Sequence, residues 1–346
     1  MFRRVLLAAV VLLALLAATS RASSSSISPC RQVNQPTWSP DGQQIVYYGT
    51  RWPKPSHPHR NPNDILQAIC TANADGTNAQ PLRYTVCSEN CLDPPSPFVW
   101  LQSGIVYLRS GDIFRLVPGS KPQRIARPKA VSFVANATGT RIATEKYYPG
   151  CQGCAAPVTI LDAQSGAVVG KAGGKKFDNV NPSLSPDGSQ VAFEPDASNN
   201  PGKTYGIWTA NANGGHLRQL VKSGQQPLWS PAGGKIAYTG TGYPVTLRLI
   251  PAGGGKSRAL VRNVATVFGW SPDGKSIAFE TSKGKLAVVS VATGKVRGLL
   301  HPRNAQTAVW SPASSELLAN IVSKNCWSTW RVPANGSAPT RISSCH

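Results

Sequence analysis

Short stretches of alternating apolar and polar residues recur along the chain, and each of them ends at a turn signal. In residues 268–280, an aromatic-containing stretch leads into Ser-Pro-Asp-Gly, and a second stretch ending in Ile-Ala-Phe-Glu follows. Alternation with a period of two is typical of β-strands. In such a turn Pro presets φ, the Asp side chain accepts hydrogen bonds from backbone N–H groups, and Gly adopts a positive φ without steric cost. The pattern therefore predicts β-hairpins.

This hairpin phrase recurs along the sequence. Complete copies lie at residues 36–47, 182–193 and 268–279, decayed copies at 227–238 and 308–319, and copies that keep only the pattern at 98–107 and 131–143. A second hairpin follows most phrases, as in residues 207–220 and 286–299, so each unit supplies four strands. The spacing of about 45 residues is that of a propeller blade. We predict an all-β fold, a β-propeller of four-stranded antiparallel blades that forms a single domain over residues 23–346. Seven blades are expected, with six as the alternative.

In the complete phrases, the Asp and Gly residues are predicted to form the hairpin turns. The same phrases resemble the repeats of a known family. The predicted turn residues are Asp41, Gly42, Asp187, Gly188, Asp273 and Gly274. The Trp-Ser-Pro-Asp-Gly phrases resemble the WD-like repeats of the TolB-type β-propeller family, over about residues 35–344. The resemblance covers the propeller part of that family and implies a propeller fold. Blades of this type occur in periplasmic binding and scaffolding proteins, in the propellers of prolyl-oligopeptidase-like peptidases and in a few lyases.

The first 22 residues have the organisation of a secretory signal peptide. Arg3 and Arg4 precede an apolar stretch at residues 5–18, and Ser-Arg-Ala at residues 20–22 is a small-x-small cleavage site. The apolar stretch is shorter than the roughly 20 residues that span a bilayer. We therefore expect secretion to the periplasm or the extracellular space, with no membrane span after cleavage. Cleavage removes three of the 36 basic residues and none of the 15 acids, so the net charge falls from +21 to about +18.

Eight cysteines in an exported chain indicate disulfides, because the export route leads to an oxidising compartment. A Cys-x-x-Cys segment at residues 151–154 also has the spacing of a redox or zinc half-site, but no second such segment exists, so a loop clip is favoured. The predicted pairs are Cys87 with Cys91, Cys151 with Cys154, and Cys326 with Cys345. Two partners remain open for Cys30, namely Cys70 within blade 1 or Cys345 across the junction of the chain ends.

Nearly all insertions fall on one end of the predicted ring. They lie between the second and third strands of a blade or between blades, at residues 51–63, 86–97, 147–157, 195–204 and 324–327. Binding residues tend to lie on irregular loops held by a rigid scaffold, so this loop-rich face is the predicted binding face. Cations and aromatics cluster there. The candidate ligand-binding residues are Arg51, Trp52, Lys54, His57, His59 and Arg60 of blade 1, with Lys146, Tyr147 and Tyr148 of blade 3.

The sequence offers little for catalysis. Three of the 15 acids are assigned to turns, only five His exist, and the chain has no Gly-x-Ser-x-Gly elbow. His57 and His59, with Asp64, resemble a metal half-site. The intervening Pro58 favours an extended backbone that points the two imidazoles in opposite directions, so a solvated basic loop is favoured. No catalytic residue, metal or other cofactor is assigned, and enzymatic activity is not expected.

The excess of positive charge indicates an anionic partner. Lys and Arg are spread over every blade without a run of five or more, and nucleic acid is not the expected partner. We predict a secreted, monomeric, non-catalytic binding or scaffolding protein that recognises a protein or an anionic polymer, such as a cell-wall polymer or polysaccharide. Two alternatives remain open. One is a propeller-type lyase or hydrolase acting on an acidic polysaccharide, and the other is a structural interaction module.

Overall fold

The chain folds into a seven-bladed β-propeller. The computed structural model describes residues 29–31, 33–51, 65–87, 98–146, 156–173, 179–195, 206–323 and 326–343. A short 3-10 helix, Pro29–Arg31, precedes 28 strands that form seven four-stranded sheets, each built from consecutive antiparallel strands. The predicted fold class and the count of seven blades are therefore confirmed, and the alternative of six is wrong.

The strands of each blade follow one another in chain order. Blade 1 contains β1 (Asn34–Trp38), β2 (Gln44–Arg51), β3 (Ile65–Asn73) and β4 (Gln80–Cys87). Blade 2 contains β5 (Phe98–Leu101), β6 (Gly104–Arg109), β7 (Asp112–Leu116) and β8 (Gln123–Ala126). Blade 3 contains β9 (Ser132–Ala135), β10 (Arg141–Glu145), β11 (Val158–Asp162) and β12 (Val168–Ala172). Blade 4 contains β13 (Asn179–Leu184), β14 (Gln190–Pro195), β15 (Ile207–Asn211) and β16 (Arg218–Val221).

The remaining three blades repeat this order. Blade 5 contains β17 (Gln225–Trp229), β18 (Lys235–Thr239), β19 (Thr246–Pro251) and β20 (Arg258–Arg262). Blade 6 contains β21 (Val264–Trp270), β22 (Ser276–Thr281), β23 (Lys285–Ser290) and β24 (Val296–Arg303). Blade 7 contains β25 (Ala305–Trp310), β26 (Glu316–Ser323), β27 (Cys326–Pro333) and β28 (Thr340–Arg341).

The first strands of neighbouring blades contact one another around the axis, and the fourth strands lie at the rim. We call β1, β5, β9, β13, β17, β21 and β25 the inner strands, and β4, β8, β12, β16, β20, β24 and β28 the outer strands. The turns from first to second and from third to fourth strand lie at one end of the ring, the turn end. The other connections lie at the opposite loop end, because consecutive strands are antiparallel.

The core lies between the blades. Apolar side chains of one blade pack against the next, as Ile160 of blade 3 does against Val191 and Phe193 of blade 4. Phe193 is almost fully buried, and the equivalent Phe279 and Tyr238 of other blades are buried in the same way. Such burial contributes roughly 1.5–3 kcal/mol for each large apolar side chain. The repeated phrase therefore supplies the interface that joins each blade to its neighbour.

Side-chain hydrogen bonds close the ring between blade 7 and blade 1. The indole Nε1 of Trp38 donates to the Val309 carbonyl at 3.1 Å. The Val33 carbonyl accepts from Asn320 Nδ2 at 3.1 Å and from Thr329 Oγ1 at 2.8 Å. Each blade keeps its own four strands, so these contacts and the apolar packing around them hold the chain ends together.

A disulfide between Cys30 and Cys70 ties the 3-10 helix to β3 of blade 1. This bond decides between the two partners that the sequence left open for Cys30. The other predicted pairs each involve a cysteine outside the described residues, namely Cys91, Cys151, Cys154 and Cys345. The predicted signal peptide at residues 1–22 also lies outside them. Within the described part of the chain, no helix has the length and apolar character needed to cross a membrane.

Candidate functional site

The Ser-Pro-Asp-Gly phrases form closed turns held by their own side chains. In blade 4, Ser185 Oγ donates to Asp187 Oδ1 at 2.6 Å and accepts from the Gln190 N–H at 2.9 Å. The Ser189 N–H donates to the same Asp187 oxygen at 3.1 Å, and Gly188 has a φ of 71°. Blades 1 and 6 repeat this arrangement at Asp41 and Asp273. These carboxylates are thereby committed to turns.

Hydrogen bonds lower the pKa of these turn carboxylates. For Asp187 the largest cause is the Ser185 hydroxyl, followed by the N–H and hydroxyl of Ser189, and a smaller desolvation opposes them. For Asp273 burial raises the pKa most, but the bonds from Ser271 and Lys275 outweigh it. Such groups stay ionised at neutral pH and act as acceptors for the turn, which suits a structural role.

Other acids hold the inner strands of the next blade. Glu145 Oε2 accepts from the Asn181 N–H at 3.2 Å, and Glu194 Oε2 accepts from the Gln226 N–H at 3.1 Å. Asn181 and Gln226 have φ values of 50° and 52° and lie in β-bulges of β13 and β17. Glu280 lies at the corresponding place in blade 6, and burial raises the pKa of its carboxyl. These acids join one blade to the next at the loop end.

A cavity of about 650 Å³ opens at the turn end beside blade 2, and we call it the blade-2 cavity. Blade 2 joins its first two strands by only Gln102 and Ser103, because Leu101 pairs directly with Gly104. The complete phrases fill the same place with a longer Ser-Pro-Asp-Gly turn. The shortened turn lies beside a space that blades 1, 2, 3, 6 and 7 line. Residues lining the cavity include Pro40, Trp100, Gln102, Ser103, Arg141, Asp162, Gln164 and Trp310.

Trp100 differs from three of the four other tryptophans at the same strand position, the fourth being Trp229, which is buried and likewise lacks an indole hydrogen bond among the described residues. The indole N–H groups of Trp38, Trp270 and Trp310 each donate to a carbonyl of the preceding blade at 3.0–3.2 Å. Trp100 is half-buried, and its indole N–H has no hydrogen-bond partner among the described residues. Across the cavity, Arg141 Nη1 lies 2.6 Å from Asp162 Oδ2, with about one third of each side chain exposed. The cavity therefore combines an indole surface with a charge-balanced ion pair.

A second groove follows the junction of blades 7 and 1 at the same end, and we call it the seam groove. Its volume is about 800 Å³, and Asp41, Asp75, Glu316 and Arg331 line it. Arg331 donates to both carboxylate oxygens of Glu316, at 2.6 and 2.9 Å. Hydrogen bonding to Glu316 raises the pKa of Arg331. The hydroxyl and N–H of Thr77 lower the pKa of Asp75. The acids of the seam groove are thus held by the fold.

The outer strands carry the clearest charge pattern in the molecule. Every outer strand contains Lys or Arg, and none of them contains Asp or Glu. Their basic residues are Arg83, Arg124, Lys171, Arg218, Arg258, Arg262, Arg297, Arg303 and Arg341. Because the outer strands lie around the rim of the ring, these residues form a cationic rim.

Some of these cations fasten neighbouring blades. Arg218 donates to the carbonyls of Ala252 and Gly253 in blade 5, at 2.7 and 3.0 Å. Arg258 reaches a carbonyl of blade 6 in the same way, and Arg297 reaches one of blade 7. By contrast, the exposed Arg83, Lys171 and Arg262 form no side-chain hydrogen bond or ion pair within the described residues. The rim therefore contains both clasping and free cations.

Most of the residues that the sequence singled out as a ligand site lie outside the part of the chain that the structure describes. Trp52, Lys54, His57, His59, Arg60, Tyr147 and Tyr148 lie outside the described residues. Arg51 ends β2, and Lys146 follows β10, so both are at the loop end. Asp64 also lies outside the described residues. The set stays a prediction.

Sequence reasoning missed the blade-2 cavity. It also missed the hydrogen bonds from outer-strand arginines to carbonyls of the next blade, which we call clasps. The signal for the cavity is visible in the sequence, since the phrase at residues 98–107 is two residues shorter in its turn than its counterparts. The clasps leave no such signal, because Arg218 and its acceptors Ala252 and Gly253 belong to different repeats. Only the angle between blades decides which carbonyls an outer arginine can reach.

No family model and no curated protein matches this sequence. Solved structures share the fold. An oligogalacturonate lyase in complex with manganese matches with a TM-score of 0.64 at 14% identity, covering 87% of this chain and 89% of that one. A puromycin-hydrolyzing peptidase from Mycobacterium tuberculosis matches with a TM-score of 0.61 at 15% identity, covering 92% of this chain but 54% of the other.

TolB from Acinetobacter baumannii also matches, with a TM-score of 0.50 at 14% identity, covering 87% of this chain and 80% of that one. The similar structures thus include enzymes as well as TolB. At such identities the likeness shows the β-propeller fold alone, because one fold hosts many functions. Function must be argued from the surfaces of this chain.

Proposed function

We propose that this protein is a secreted, non-catalytic β-propeller that binds an anionic polymer of the cell envelope or extracellular space along its cationic rim. The observation that carries the proposal is the charge pattern of the outer strands, each of which has Lys or Arg and no Asp or Glu. A linear polyanion can follow such a rim and contact several blades at once. The disulfide between Cys30 and Cys70 supports export, since such bonds persist in oxidising compartments.

Protection of exposed strand edges is the competing explanation of the rim charges. Charged side chains on an edge strand prevent pairing with another sheet. Such protection works with either sign of charge, yet every charged residue on the outer strands is basic. The uniform sign is what favours polyanion binding over edge protection alone.

The free cations are the best suited to contact a polymer. Arg83, Lys171 and Arg262 are exposed and are not used by the fold among the described residues. They belong to blades 1, 3 and 5, so a polymer that engages all three must follow the ring rather than fill a pocket. Each contact between a cation and the polymer releases condensed counterions, which makes retention depend on salt.

A salt gradient on immobilised heparin tests the proposal. We expect the triple variant Arg83→Ala, Lys171→Ala and Arg262→Ala to elute at clearly lower salt. The slope of log affinity against log salt should also become shallower, as expected for the loss of about two to three ionic contacts. The matched control removes the same charge from exposed turn residues through Lys121→Ala, Lys256→Ala and Lys283→Ala. This control should shift elution much less.

Three outcomes would contradict the proposal. Equal shifts in both triple variants would assign retention to net charge alone. A larger shift in a variant with Arg51→Ala, Lys54→Ala and Arg60→Ala would move binding to the loop-rich face. Turnover of polyuronate or peptide substrates by the purified protein would show that it is an enzyme. Elution from polyglutamate, run in parallel, separates recognition of a sulfated sugar chain from recognition of negative charge.

A further inference from the structure

We propose that the blade-2 cavity is a binding site for a neutral saccharide unit. The cavity arises where one repeat departs from the others, because the turn of blade 2 has only two residues between β5 and β6. Its volume of about 650 Å³ falls within the roughly 300–1,000 Å³ of small-molecule sites. The proposal concerns a different surface and a different ligand from the cationic rim.

Trp100 provides the surface on which a sugar ring can stack. It pairs with Ile105 as Trp38 pairs with Ile45, so the two tryptophans hold equivalent strand positions. Trp38 is buried and its indole N–H is bonded, whereas Trp100 is half-buried and unbonded among the described residues. A half-exposed indole offers an apolar face and a polar edge. The C–H groups on one face of a pyranose match the apolar face, and a ring hydroxyl can accept from the indole N–H.

The polar groups of the cavity favour an uncharged ligand with many hydroxyls. Gln102 and Gln164 are exposed, and each carboxamide can donate and accept hydrogen bonds, as sugar hydroxyls do. Arg141 and Asp162 neutralise each other at 2.6 Å, so the lining carries little net charge. Their planar guanidinium and carboxylate groups can still bond adjacent hydroxyls, because about one third of each side chain remains exposed.

A peptide fits these walls less well. Peptides often bind by adding a strand to an unpaired sheet edge, or by placing an apolar helix face in a groove. The walls of the blade-2 cavity are turns and side chains from blades 1, 2, 3, 6 and 7, and they offer neither feature. The mixture of one accessible indole with carboxamides and a neutral ion pair is better matched by a sugar.

Calorimetric titration of the full chain with cellotriose, triacetylchitotriose and maltotriose tests the proposal. At least one of these neutral trisaccharides should bind with a dissociation constant of about 1 mM or lower. Trp100→Ala should weaken that binding about tenfold or more, because the stacking surface is lost. Trp100 also contacts the core, so a second variant with Gln102→Ala and Gln164→Ala, both exposed, tests the site without disturbing the packing. It should weaken binding several-fold.

Trp327→Ala is the matched control, because this half-exposed tryptophan lies on β27 near the loop end. It should leave saccharide affinity unchanged. Absence of binding for all three sugars at about 10 mM would overturn the proposal. So would full affinity in both cavity variants, or preference for trigalacturonate or a tripeptide over the neutral sugars. The rim variant Arg83→Ala, Lys171→Ala and Arg262→Ala should bind the sugar with unchanged affinity. The saccharide proposal can therefore fail while the proposal of polyanion binding holds, and the reverse.

Discussion

The inner strands of the ring contain no charged residue, whereas every outer strand contains Lys or Arg. Inner strands lie against both neighbouring blades near the axis, where space is narrow and an unpaired charge would be costly. Indole groups fill that space, and Trp38, Trp270 and Trp310 bond to the blade before them. Close packing and short polar contacts therefore define the centre of the molecule.

The outer strands meet a different geometrical problem. Neighbouring blades diverge with distance from the axis, so only long side chains reach across the gap at the rim. Arg218 does so by donating to two carbonyls of the next blade. One edge of each outer strand is also unpaired. The same residue type thus joins the blades, protects the edge and supplies the charge that the proposed function uses.

The largest expected effect of a substitution lies at an inner strand. Trp38→Ala removes a buried indole and the bond to the Val309 carbonyl at the seam between the chain ends. We expect the free energy of unfolding to fall by about 3–5 kcal/mol in urea titrations. Retention of the folded variant on heparin should not change, because no cation is removed.

The control for that prediction is Trp327→Ala, which removes a half-exposed indole. It should lower the free energy of unfolding by about 1 kcal/mol or less, since substitutions of exposed residues rarely lower it more. A similar loss for both tryptophans would contradict the view that the inner strands carry the stability of the ring. A change in heparin retention for Trp38→Ala would contradict the separation between centre and rim.

A smaller effect is expected when a clasp is broken without loss of charge. Arg218→Lys keeps the cation but cannot reproduce the two bonds of the guanidinium to Ala252 and Gly253. The free energy of unfolding should fall by about 1 kcal/mol, while heparin retention stays the same. Arg83→Lys, at a free rim position, should change neither quantity. Lost retention in Arg218→Lys alone would mean that the clasping arginines bind polymer themselves.

The sequence predicts the fold well because the pattern of strands and turns that defines a blade is repeated along the chain. Each phrase contains its own turn chemistry, so the blades could be recognised even where Ala232 replaces the Asp. The partner of Cys30 remained open, because the disulfide joins residues 40 positions apart. The blade-2 cavity and the clasps were missed because they depend on contacts between repeats. A pattern that repeats along the chain does not encode the distance between Trp100 and Arg141.

The smallest expected effect concerns the turns that leave the inner strands. The bonds to Asp187 lower its pKa in the folded state, so its carboxylate stabilises the fold above the unfolded pKa of about 3.9, and this contribution is lost as the pH falls through the folded value. Asp187→Asn should therefore lower the free energy of unfolding by about 0.5 kcal/mol at pH 7, a small effect because the group is exposed, and by progressively less as the pH falls below about 4. The converse substitution Ala232→Asp restores the phrase in blade 5 and should stabilise it at pH 7 but not at low pH. Urea unfolding at each pH measures both. If the stabilisation by Ala232→Asp persisted unchanged at low pH, the ionised carboxylate would not be its cause. Restriction of the backbone by the Asp residue would then explain how Asp stabilises these turns.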